Sequence, residues 1–148
     1  MRFYLFSFLI AYFQSSVLLA VFQNALLVPN LLLVYLFLNL LNEEDYGLKK
    51  ALPSGFFLDL FQDSFGLHLS GYVFFTIGLN FVKQRYHFPS RLSVVLVYIF
   101  LSILERLWTV VIFRSRYYLE FNLWLALLGF FIEWITLAVF LRRYSKVV

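Results

Sequence analysis

Pro53–Gly71 reads PSGFFLDLFQDSFGLHLSG. The stretch is apolar enough to enter a membrane, short for a crossing, and carries two carboxylates, Asp59 and Asp63. Four residues apart on a helix, they share one face. Hydrocarbon does not solvate such a face, so it turns toward protein or water. Whether the stretch is a membrane helix at all depends on the rest of the chain.

Of the 148 residues, 63% are hydrophobic, 22% aromatic and 14% charged. Soluble domains hold about 45–50% apolar and about 25% charged residues. Twenty Phe do not fit one small soluble core, whereas lipid allows burial on every side. The composition therefore points to an all-α integral membrane protein. The chain has no cysteine, so it has no disulfide framework, thiol nucleophile or thiolate metal site. Its formal charge of +4 comes from short cationic clusters between apolar runs. That pattern fits membrane orientation better than nucleic acid. Arg2 followed by Phe3–Phe22 invites comparison with a signal peptide. The run exceeds the usual h-region of about 7–15 residues, and no A-x-A site follows, so a retained helix is expected.

A membrane-spanning helix needs about 20 apolar residues. Phe3–Phe22 meets this, and Gln23 and Asn24 end it. A second span is expected at Ala25–Leu41, with Pro29 in its first turn, where a missing N–H costs little. Asn42–Lys50, reading NEEDYGLKK, is a loop. A short third helix follows at Ala51–Phe65, then spans at Leu67–Val82, Leu92–Phe113 and Leu119–Leu141. The predicted architecture is a single six-helix transmembrane domain with a short third helix. It contains no repeat and no soluble region of domain size.

The cations support that count. With a cytoplasmic N-terminus, six spans place Arg2, Lys49, Lys50, Lys83, Arg85, Arg91, Arg142, Arg143 and Lys146 inside, and only Arg114 and Arg116 outside. That is a strong positive-inside bias. Omitting the third helix puts later loops on the wrong sides. Both termini are therefore expected in the cytoplasm.

Besides Asp59 and Asp63, further ionisable groups sit in or near apolar segments. Counted at roughly 1.5 Å per residue from the cytoplasmic ends, Asp63 and Arg106 lie about 18–21 Å deep, and Asp59 and Glu133 about 12 Å. Matched depth predicts an Asp63–Arg106 clamp between the third and fifth helices, with Asp59 and Glu133 lining a second polar spot. Glu105 neighbours Arg106 in sequence but points about 100° away around the helix. The competing reading has Arg106 snorkelling outward and Asp63 in loop water. His68 reads as a helix-end histidine rather than a proton relay, and His87 as solvated. Two distant histidines do not make a metal site. Asn30, Gln14, Ser15 and Ser16 are candidates for interhelical hydrogen bonding. The phosphate-loop, dinucleotide-binding, nucleophile-elbow and zinc-protease motifs are all absent, so catalysis has no support in sequence, and no cofactor is expected.

Pro29-Asn30 followed by LLLVYLFL resembles the Pro-Asp and aliphatic run that opens the second helix of MreD, the bacterial rod-shape-determining membrane protein. Gly55–Tyr72, GFFLDLFQDSFGLHLSGY, resembles that family's G-F-x-x-G-L-x-x-D … G-L-H-x-L segment. Gly55, Leu60, Asp63, Gly66, Leu67 and His68 fall on the pattern. Asn30 stands where Asp is usual, and Asp59 where Gly is usual. The resemblance implies a non-enzymatic component of the cell-elongation machinery in the bacterial inner membrane. Its expected partner is an MreC-like single-span protein, with indirect links to MreB and to the RodA–penicillin-binding-protein synthase. It also implies a fold like the substrate-binding S components of energy-coupling-factor transporters.

Two other functions compete. A small-molecule (vitamin-type) uptake subunit predicts an open cavity lined by Asp63, His68, Glu105 and Arg106. A membrane enzyme requires carboxylates converging with His68 at one water-accessible point. The scaffold reading predicts a filled bundle whose polar residues pair internally.

Overall fold

The computed structural model describes residues 1–22, 28–43, 47–64, 66–116 and 123–144. Among them, six helices follow one another: α1 (Arg2–Phe22), α2 (Leu31–Leu40), α3 (Leu48–Gln62), α4 (Leu67–Arg85), α5 (Arg91–Arg116) and α6 (Leu123–Tyr144). The chain is a helical membrane protein. Arg2–Phe22, Arg91–Ile112 and Leu123–Arg142 are each long and apolar enough to cross a bilayer, with mean hydropathies of 2.0, 2.0 and 2.1.

The second helix differs most from expectation. Residues 25–27, like Gln23 and Asn24, lie outside the described residues, and 28–30 are not helical. Helix α2 starts only after Asn30, whose side chain accepts the Leu33 N–H and fixes the first turn. Its 10 residues reach about 15 Å, half a bilayer. Helix α3 starts three residues earlier than expected and ends at Gln62, so Asp63 stands outside it. Phe65, residues 119–122 and Lys146 lie outside the described residues. Helices α4 and α6 each run three residues past their expected ends.

Short as it is, α2 is the hub. Seven of its ten residues are buried: Leu32, Leu33, Val34, Leu36, Phe37, Leu38 and Leu40. A helix apolar on every side belongs in the interior. It packs on α1, α3 and α6, and Phe37 meets Phe75 of α4 and Tyr98 of α5 edge-on, with ring centroids 6.1 and 4.9 Å apart. The closest pairing is the α3–α4 hairpin. There Gly55 permits the approach, since a Cβ would stand 2.6 Å from Leu69 Cα. Pro53, inside α3, deprives the Lys49 carbonyl of its helical donor. The Tyr4 hydroxyl of α1 supplies one instead, at 3.4 Å.

Candidate functional site

A helix that begins in the buried interior of an apolar bundle has a problem at its first turn. Its leading N–H groups lack intrahelical acceptors, and no water is at hand. In α2 each is answered. Leu31 N–H donates to the Pro29 carbonyl, Leu32 to Gln14 Oε1 at 3.2 Å, Leu33 to Asn30 Oδ1 at 3.2 Å and Val34 to the Asn30 carbonyl. Gln14 arrives from α1, where a π-helical turn at Gln14–Leu18 interrupts the regular spiral. Its Nε2 also donates to Asn30 Oδ1, as does the Tyr72 hydroxyl of α4.

Glu133 of α6 completes the arrangement. One carboxylate oxygen accepts the Asn30 N–H at 3.0 Å and Arg106 Nη2 at 3.2 Å, and the other accepts the Tyr98 hydroxyl. Arg106 also donates through both Nη atoms to the Val28 carbonyl, at 3.0 and 3.1 Å, and its guanidinium lies over the Phe130 ring. The side chains of Arg106 and Glu133 are 14% and 1% exposed. Five helices, α1, α2, α4, α5 and α6, thus meet at one buried polar centre. Its chemistry is binding by charge and hydrogen bond, with the helix N-terminus facing a carboxylate, the favourable sense of the helix dipole.

This overturns the expected clamp. Among the described residues the carboxylate paired with Arg106 is Glu133, and Asp63 is exposed, in left-handed conformation (φ 51°) just past α3. Two misjudged helix ends explain the error. Helix α6 continues to Tyr144, which places Glu133 about 4–5 Å deeper than a count from Leu141. Helix α3 stops before Asp63, which therefore sits at its rim. Asp59 and Glu133 do not share a polar spot either: each has its own partners.

Asp59 closes the α3–α4 turn. Its oxygens accept the His68 N–H at 2.9 Å, the Leu69 N–H at 3.0 Å and the Ser64 hydroxyl at 2.9 Å, so a residue of one helix caps the next. His68 is buried at the start of α4, and its Nε2 lies 2.7 Å from Gln62 Oε1. Gln62 in turn donates to Ser15 of α1. Gly66 holds φ 78° in the same turn. Among the described residues Ser16 bonds only to the Tyr12 carbonyl of its own helix. His87 is exposed, as expected.

The other end of α2 is tied as well. Lys83 Nζ donates to the Leu40 carbonyl at 2.7 Å and to that of Glu43 just beyond the helix, placing a cation at the C-terminal end of α2. Partial burial holds the Lys83 pKa below its ordinary value, against the opposing pull of Glu43. Beside α2, α1 and α6 leave an apolar groove of about 480 Å³ lined by Phe6, Phe13, Val34, Tyr35, Leu38 and Phe140 among others.

The structure thus joins Asn30, Arg106 and Glu133 at one centre, groups Asp59 with His68 at another, and leaves Asp63 outside both. Sequence reasoning missed Tyr72 and Tyr98. The available signal was that a Tyr buried in a membrane bundle must place its hydroxyl on a partner. No family model, curated protein or solved structure matches the chain.

Proposed function

We propose that this protein is a non-enzymatic scaffold of the bacterial cell-elongation machinery, a six-span inner-membrane bundle with cytoplasmic termini. It holds an MreC-like partner by that partner's single membrane helix. One observation carries the reading. A half-helix N-terminus in mid-membrane is where transporters receive an anionic substrate group, and here the protein's own Glu133 occupies it. Gln14 and Tyr72 turn inward on Asn30, and Tyr98 on Glu133. Such a centre fixes shape, as a scaffold requires.

The positions that resemble MreD fit structural roles. Asn30 caps α2, Gly55 allows α3 and α4 to touch, and Asp63 and Gly66 take the left-handed conformations of the intervening turn. The groove between α1, α2 and α6 is apolar along its length and fits a helix face, where packing rather than a hydrophobic force gives specificity.

The test is purification in nanodiscs from bacterial membranes, with bound proteins and small molecules identified by mass spectrometry. Stoichiometric recovery of a single-span coiled-coil protein, crosslinked through a photoreactive residue at Phe13 or Phe6, supports the scaffold. Recovery of ATPase subunits or a retained metabolite would replace it with the uptake subunit.

A further inference from the structure

Glu105 is a buried acidic residue that the hydrogen bonds of the polar centre leave over. It lies on α5, about 21 Å along the helix from Arg91, and is 2% exposed. Among the described residues it makes no hydrogen bond and no ion pair. Its Oε1 rests against Gly71 of α4, in a niche that a methyl group would fill: a Cβ on Gly71 would stand 2.7 Å from that oxygen and 3.0 Å from Thr109 Cγ2.

The groups around it fix its state. From α5 come Arg106 and Tyr98, from α4 Tyr72, and from α6 Glu133. Both tyrosine hydroxyls are already directed elsewhere, to Glu133 and to Asn30. The one guanidinium is bonded to Glu133 and the Val28 carbonyl. One cation balances one carboxylate. Among the described residues a second carboxylate here would have to share that one guanidinium with Glu133, and the apolar surroundings disfavour the excess charge.

We propose that Glu105 is a proton-binding site inside the membrane, its carboxyl neutral beside the Arg106–Glu133 pair. The buried centre then sums to zero charge. Releasing the proton leaves a bare carboxylate against Gly71, so proton binding acts on the α4–α5 contact.

The full chain in nanodiscs tests this by infrared difference spectroscopy between wild type and Glu105→Gln near neutral pH. The wild type is expected to show a carboxylic-acid carbonyl band that shifts in heavy water and is lost in the variant. A variant that loses carboxylate bands instead overturns the proposal. If Glu105→Gln does not purify, dicyclohexylcarbodiimide on the wild type decides. A protonated carboxyl gives its proton to a carbodiimide nitrogen, its oxygen adds to the central carbon, and acyl transfer leaves a stable N-acylurea with no atom lost. Peptide mapping is expected to find it on Glu105, with Glu133 unmodified. An unmodified Glu105 overturns the proposal.

Discussion

Arg106 and Glu133 illustrate how much one buried pair can govern. Removing either leaves the other uncompensated, so Arg106→Ala and Glu133→Ala are each expected to lose about 3–5 kcal/mol of stability. Replacing both with apolar residues, Arg106→Met with Glu133→Leu, should cost less than the sum of the single changes. Thermal unfolding in detergent, followed by loss of the monodisperse peak, measures each arm. Additive losses would mean the two side chains do not interact. Asp59→Ala is a separate case, because Asp59 serves the turn and not the centre. It removes the acceptor for two α4 N–H groups and the Ser64 hydroxyl, and a loss of about 2 kcal/mol is expected. Asp59→Asn, which keeps one acceptor oxygen, should lose less.

The α3–α4 hairpin sets two glycines against each other. Gly55→Ala drives a methyl group onto the backbone at Leu69, which cannot yield as a side-chain tip would, and should cost about 1–3 kcal/mol. Gly66→Ala meets nothing within 4 Å but must hold φ 78°, so its cost is the left-handed penalty of about 1–2 kcal/mol. Gly66→Asn tolerates that conformation and should recover most of the loss, whereas Gly55→Asn should be worse than Gly55→Ala. Identical behaviour of the two asparagine variants in the unfolding assay would refute the distinction. What the sequence made legible follows the same division. Apolar length located α1, α5 and α6, because lipid demands it. Helix ends set by a single cap were not legible: the Asn30 side chain halves α2, and a left-handed Asp63 stops α3. The early end of α3, together with α6 running on to Tyr144, sent the depth count to Asp63 in place of Glu133. Tyr72 and Tyr98 left no periodic trace, since their role rests on where their hydroxyls end.

Assembled, the bundle poses a question of sidedness that α3 decides. Its 15 residues reach about 22 Å, less than the roughly 30 Å hydrocarbon core, so it either crosses with help from its flanks or turns back. The positive-inside rule predicts that it crosses, since otherwise Lys83, Arg85 and Arg91 change sides relative to Lys49 and Lys50. The chain has no cysteine, which makes the test clean. Lys49→Cys and Asp63→Cys mark exposed positions at the two ends of α3. In right-side-out bacterial vesicles an impermeant maleimide is expected to label Asp63→Cys directly, and Lys49→Cys only after permeabilisation. Labelling of both from one side would make α3 re-entrant. The termini would then lie on opposite faces, and the six-span reading would fall with the positive-inside count. The centre at Glu133 would survive that outcome, because it rests on the hydrogen bonds at the start of α2 and not on where α3 ends.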